Sequence, residues 1–318
     1  MSILPPDSVF DQGIAWHNGD PLGEQRLLVS GAGVVDLGNR GVLTVTGPDR
    51  LSWLNDLTTQ LVDALPAGDS ALALILSPHG HVEFEMHLVD DGATTWIITQ
   101  PGQAESLLAY LSSMRFMLRV EVEDRSSTHA VVYEPIPEID PQHPTWLVPE
   151  HFAERGMAGR EVVLERGELA DRLAAQPQVG SWALEAIRVA AGMPRMGCET
   201  DHRTIPNEVD WLGSAVHLNK GCYRGQETVA KVHNLGQPPR RLVLLHLDGS
   251  SEELPGHGDV VVLAGKPVGW IGTAVRHYES GGIALAVVKR NVPTDAQLVV
   301  EHGEELIAAV EDPAPAGW

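Results

Sequence analysis

The stretch "NKGCYRGQETVAK", residues 219–231, gathers residue types that do chemistry: the thiol of Cys222 between Gly221 and Gly225, with Lys220 and Arg224 close by. Glycines admit backbone conformations that other residues resist, and "GQETVAKVH" can open a helix directly afterwards. Cys222 is therefore expected near a helix N-terminus, where unpaired N–H groups and adjacent cations favour the thiolate. The alternative is a small buried hydrophobe that the cations merely border. Between positions 220 and 241, Lys220, Arg224, Lys231, Arg240 and Arg241 face a single acid, Glu227, in a chain of formal charge -21. Such a run is either a solvated basic face or an anion site.

Other constellations carry less. His217 and His233 flank Cys222, but among 14 histidines such proximity is cheap, and no Asn or Asp can be assigned to orient a Cys–His pair. His79 and His81 lack a third ligand at a metal-binding spacing, so no metal site is assigned. Glu83 and Glu85 share a strand face, which permits general acid or base work but also suits a face turned to water. Cys198 and Cys222 form no CxxC pair, so neither a disulfide framework nor a cysteine-rich zinc site is indicated. Neither a Walker loop nor a GxGxxG fingerprint occurs, which leaves nucleotide-dependent phosphoryl transfer unsupported. The acidic balance speaks against nucleic-acid binding over the whole surface, and direct binding is not expected. The opening "MSILPPDSVFDQ" lacks a basic region followed by an apolar run, and no apolar stretch approaches the roughly 18 residues of a membrane span. These features read as a cytoplasmic protein without a membrane partner.

The elements that must position these residues follow from periodicity. "VLTVT" (42–46) has strand composition, and Leu51, Leu54, Leu57 and Leu61 predict an amphipathic helix over 49–62. "LALIL" (72–76) and "HVEFEMHL" (81–88) read as the arms of a hairpin turning at 78–80, the second half-buried with Glu83, Glu85 and His87 on its polar face. A strand is expected at 94–99 and a helix over 102–118. Four prolines in 134–144 make that segment a loop or extended connection. "ERGELADRLAA" and "SWALEAIRVAA" read as helices, the second with Ser181 as N-cap and Gly192 as C-cap. An irregular stretch follows, from 193 to about 219. After 236–239, short apolar runs between Gly, Pro, Asp and Ser clusters have the pattern of an antiparallel β-barrel or sandwich. The expected division is therefore 1–235 and 236–318, in an α+β chain of 318 residues whose 43% hydrophobic content can fill more than one core.

The string "KGCYRGQE" (220–227) resembles the K-G-C-Y-x-G-Q-E signature of the YgfZ-type folate-binding proteins, relatives of the glycine cleavage system T-protein. "VTGPDRLSWLNDLTTQ" (45–60), "LILSPHGHVEFEMHL" (74–88) and "IRVAAGMP" (187–194) resemble further segments of that family, so the likeness spans nearly the whole chain. It implies a ring-like GcvT-type fold of mixed α/β folate-binding subdomains with a C-terminal antiparallel β-barrel, and tetrahydrofolate as cofactor. Glu208, in "TIPNE" (204–208), matches the glutamate that grips the pterin; a carboxylate suits this because it accepts two parallel N–H bonds. Arg188, Lys220 and Arg224 become candidates for the anionic glutamate tail, and Gly221, Tyr223, Gly225, Gln226 and Glu227 complete the signature around the ligand. T-proteins carry an Asp pair where this chain reads Gly80, His81, Val82, Glu83, Phe84, so the acid for aminomethyl transfer would fall to Glu83. The resemblance thus implies a folate-binding protein that supports iron-sulfur enzymes or their assembly, including enzymes that modify tRNA, with Cys222 as its thiol. The alternative is a folate-dependent aminomethyl- or methyltransferase of the T-protein type.

Overall fold

The computed structural model describes residues 2–4, 11–250 and 253–312. Most of the opening segment "MSILPPDSVFDQ", on which the expectation about a leader rests, therefore lies outside the described residues. Among the described residues, no helix is long and apolar enough to cross a membrane.

Among the described residues, two five-stranded sheets and a closed barrel make up the fold. The first sheet pairs β3 (Ser70–Leu76), β4 (Val82–Asp90), β5 (Thr94–Thr99), β2 (Gly41–Thr46) and β6 (Glu121–Asp124) in that order. Its central strands are buried on both faces. In β3 the alternation sends Ala73 and Ile75 to a core with Trp53 and Leu54 of α2 (Arg50–Leu57) and Leu107 and Leu111 of α3 (Ala104–Ser113). Leu72, Leu74 and Leu76 point the other way, into the core that joins all parts of the molecule.

The second sheet runs β10 (Gln178–Val179), β1 (Val34–Asp36), β7 (His129–Glu134), β9 (Arg160–Glu165), β8 (Thr145–Leu147). It covers the second face of the first sheet and corrects one expectation. The period-two pattern turns Glu85 and His87 of β4 toward water, yet both are buried. Glu161 of β9 lies opposite, 2.8 Å from His87 Nδ1, and the His87 ring stacks on Trp146 of β8 at 3.8 Å. The half-buried alternation belongs to a lone sheet; here a second sheet replaces the water.

Helix α6 (Ser181–Ala190) packs against the barrel, formed by β11 (Arg240–Leu247), β14 (Gly281–Lys289), β13 (Lys266–His277), β12 (Val260–Leu263), β15 (Gln297–His302) and β16 (Glu305–Glu311). Val243, Leu245, Ala284 and Ala286 fill its interior, whereas Leu285 and Val287 face outward into the common core. Small α1 (Pro21–Val29) packs on α6 and α5 (Leu169–Ala174) on β1, α4 (Glu150–Ala153) follows β8, and α7 (Gln226–Leu235) leads into the barrel.

Helix boundaries differ from their patterns at several ends, and the run 165–175 is helical only over Leu169–Ala174 because Glu165 closes β9. α2 stops at Leu57 because Thr59 turns inward, its hydroxyl donating to the Ala215 carbonyl at 2.6 Å, which leaves Leu61 43% exposed. α3 stops at Ser113, and Phe116 and Met117 beyond it lie in solvent. Ser181 is the first residue of α6 rather than its cap, which is Gly180. Gly192 does follow the helix in the left-handed region, φ +67°.

Candidate folate and thiol site

Four segments converge around the signature: the 77–80 turn between β3 and β4, the 204–208 segment, the start of α7, and the first residues of β11. The Val82 N–H donates to the Thr204 carbonyl at 2.8 Å, and Asn207 Nδ2 donates to the Val229 carbonyl at 3.3 Å. Gly225 caps α7 at φ +82°, with a Cβ there placed 2.6 Å from the Ser77 carbonyl oxygen and 2.9 Å from Gly80 Cα. The two backbones touch because both positions are glycine. Gly225→Ala is expected to cost about 1–3 kcal/mol through strain and forced separation. Urea denaturation checks this; an unchanged midpoint would show that the turn yields freely.

Cys222 is a free, exposed thiol in the loop ahead of the helix, three positions before the Gly225 cap rather than on the first turn. Tyr223 turns inward to the common core, where burial pushes its phenol up to about 12. Arg224 Nη1 donates to Glu83 Oε2 at 3.0 Å and to the Tyr110 hydroxyl at 3.3 Å. Both partners of that ion pair are about one-third exposed (35% and 34%), so the pair contributes at most about 1 kcal/mol and can open. Gly221 and Glu227 are exposed, while Gln226 opens α7 and donates its N–H to the Tyr223 carbonyl at 3.2 Å.

Glu208 sits in the 3₁₀ turn Pro206–Glu208, 3% exposed. Arg240 holds its two oxygens in a fork, Nε to Oε1 and Nη2 to Oε2, each at 2.8 Å, and the Ile205 N–H donates to Oε2 at 3.1 Å. Arg240 also donates to Asp201 at 2.7 Å. Burial would raise the Asp201 carboxyl, but those donors pull it well below the usual carboxylate range. A cavity of about 370 Å³ opens beside this pair, lined by His81, Arg203, Ile205, Glu208, Pro239 and Arg240. That volume is in the range of small-molecule sites, roughly 300–1,000 Å³.

The cationic run therefore resolves into individual contacts. Lys220 donates to the carbonyls of Asn55, Thr58 and Gln60, Arg224 pairs with Glu83, Arg240 with Glu208 and Asp201, and Arg241 with Glu311. Lys231 is exposed on α7. Arg188 is spent elsewhere: 4% exposed, it binds Glu185, Glu199, Thr273 and the Met193 carbonyl. Arg203, exposed at the cavity rim, is not marked by the sequence pattern, nor is Tyr110. Nothing in their local sequence distinguishes them, because fold contacts alone bring them to the site. Cys198 is buried, which pushes its thiol up to about 12. Among the described residues, no group of three or more His, Cys, Asp or Glu side chains could hold a metal ion.

A mixed α/β chain with this sheet order and a closed six-stranded barrel has the fold of the aminomethyltransferases. Residues 17–133 match the model of the GCVT N-terminal domain. The crystal structure of glycine cleavage system aminomethyltransferase T from Bartonella henselae superposes with TM-score 0.80 over 95% of this chain and 91% of that one, at 17% identity. An aminomethyltransferase of Herpetosiphon aurantiacus is 25% identical across 84% of this chain and 81% of its own length. The tRNA-modifying protein YgfZ of Yersinia enterocolitica is 24% identical across 76% and 79%. The chain thus has the aminomethyltransferase fold over nearly its whole length, and its residues 17–133 resemble the GCVT N-terminal domain.

Proposed function

We propose that this protein binds a reduced folate in the cavity beside Glu208 and works as a folate-dependent transferase of an aminomethyl or methyl group. The observation that carries the reading is the buried Glu208 carboxylate on the cavity wall, held by the planar fork of Arg240. An aminopyrimidine presents two parallel N–H donors of similar geometry, so it can take over the contact as Arg240 shifts onto Asp201. Arg203 at the rim is the candidate for the anionic tail, a role that Arg188 and Lys220 are poorly placed to share. A bound reduced folate supplies ring nitrogens that accept the one-carbon unit. Glu83 is the acid at hand: its carboxylate is partly exposed and is freed when the Arg224 pair opens. The aminomethyltransferase fold and the aminomethyltransferase relative support transfer as the activity.

A second reading rests on Cys222. An exposed thiol in a glycine-framed loop of the same signature is what a folate-dependent protein supporting iron-sulfur enzymes would need, and a tRNA-modifying relative shares much of the chain.

Calorimetry with tetrahydrofolate tests the common part. Binding is expected in the native protein and about tenfold weaker or worse in Glu208→Gln, which loses a charge-assisted contact. No heat at millimolar ligand would remove the folate from both readings. Turnover of a methylamine donor with tetrahydrofolate, abolished in Glu83→Gln, supports the transferase. Absence of turnover, with Cys222→Ser unable to restore iron-sulfur enzyme activity in a deletion strain, supports the second reading instead.

A further inference from the structure

We infer that Lys220 is a positioning residue, which fixes the Cys222 loop to the end of α2 and makes no contact with ligand. The inference takes its functional meaning from the reading of Cys222 as a working thiol, while its geometry stands without any folate.

A lysine ammonium has three N–H donors and no more. All three are used. The carbonyls of Thr58 and Gln60 accept at 2.7 Å each, and that of Asn55 accepts the third. The Asn55 and Thr58 carbonyls lie at the C-terminal end of α2, where a helix leaves acceptors unpaired and where a positive charge is favoured by the dipole, and that of Gln60 follows two residues past the Thr58 cap. α2 has no basic residue in its own last turn, so the cation comes from a segment some 160 residues later. The same junction is tied three more times: the Thr59 hydroxyl donates to Ala215, Gln60 Nε2 to Ser214 at 3.2 Å, and the His217 N–H to Thr59 at 2.9 Å. Lys220 is 8% exposed, with Nζ 5.5 Å from the centre of the Tyr223 ring. Burial pushes its ammonium down to about 8 against the pull of Asp56 and Asp63, which leaves it charged at neutral pH.

The signature then divides by task. Lys220 grips α2, Tyr223 anchors in the core, and Gly225 seats against Gly80, so the loop is held on both sides of Cys222 while the thiol faces solvent. An alanine or methionine at 220 would take the ammonium from three carbonyls, of which that of Gln60 keeps only the long 3.4 Å bond from the Thr58 hydroxyl, and would leave the loop without its inner tether.

A nitroxide attached to Cys222 reads the tether directly, since Cys198 is buried. Restricted motion is expected in the native protein and in Lys220→Arg, which still donates to carbonyls. Lys220→Met is expected to shorten the label's correlation time by about threefold. An unchanged line shape in a folded Lys220→Met protein overturns the inference. If that variant does not fold, ¹⁵N-lysine spectra of the native protein decide. Of Lys220, Lys231, Lys266 and Lys289, one ammonium should exchange slowly enough to be observed at neutral pH, and its absence would equally overturn the tether. Neither measurement uses folate, so loss of tetrahydrofolate binding would defeat the proposed function and leave this result standing.

Discussion

Arg188→Met is expected to lower the free energy of unfolding by about 3–5 kcal/mol, the cost of removing one partner from a buried ion cluster. The guanidinium bridges two carboxylates: Nη1 donates to Glu199 at 2.9 Å and Nη2 to Glu185 at 2.8 Å, with a further bond to Thr273 of β13 at 2.8 Å. Glu199 is fully buried. Methionine fills the same space but supplies no donor, so two carboxylates must either stay charged in a poor dielectric or take up protons. Arg195 softens the loss for both groups, its guanidinium 3.1 Å from Glu185 and its backbone N–H donating to Glu199 at 2.9 Å, but the donor it brings to Glu199 is a neutral one. The Thr273 contact adds a consequence for assembly, because it ties α6 to the barrel. Urea titration should show a lower midpoint with little change in slope. A residue that contacted the folate tail would behave differently, weakening affinity and leaving the midpoint in place. That outcome would restore the role implied by the family likeness.

Arg188 also shows where a sequence stops being legible. Its position at the end of a helix in "IRVAAGMP" is readable, and so are α6, the hairpin of β3 and β4 and the alternating strands of the barrel, because each rests on local periodicity. The partners that consume its charge are not. Glu185 and Glu199 lie within a short span, but Thr273 belongs to the barrel, and no local rule links them. The same holds for the cationic run. Its five charges are countable in sequence, but Glu83, Glu208, Asp201 and Glu311, which neutralise most of them, come from separate segments. Hydrophobic period reports which face of a strand is buried against apolar neighbours. It is silent where burial is polar, as at Glu85 and His87, since a buried ion cluster and a solvated face have the same composition. The glycines of the signature are better signals: Gly225 adopts the left-handed conformation that such a position permits.

The joint between the two sheets should make stability depend on pH from both sides of a plateau. His87 lies between Glu85 and Glu161 and is 3% exposed. Burial alone would lower its pKa, yet the Glu161 carboxylate at 2.8 Å outweighs that and holds it at about 9, above the ordinary 6.5. The native state therefore keeps a proton that the unfolded chain releases, so this contribution is complete below about pH 6.5 and disappears as pH rises through 9. Glu161 is the other half of the same interaction. Burial would raise its carboxyl, but His87 and Arg40 hold it at about 2, so the stabilisation is present above 4.5 and lost as pH falls through 2. Counted once, the pair is worth on the order of 3 kcal/mol, since each tenfold change in proton affinity corresponds to roughly 1.4 kcal/mol. Chemical denaturation across pH should give a plateau from about 4.5 to 6.5 and a decline toward 9, and His87→Gln should abolish the alkaline limb while lowering the plateau. A native profile that stays flat between 6.5 and 9 would mean that His87 is neutral in the folded protein. The charge of Glu161 would then fall to Arg40, whose Nη2 lies 3.9 Å away.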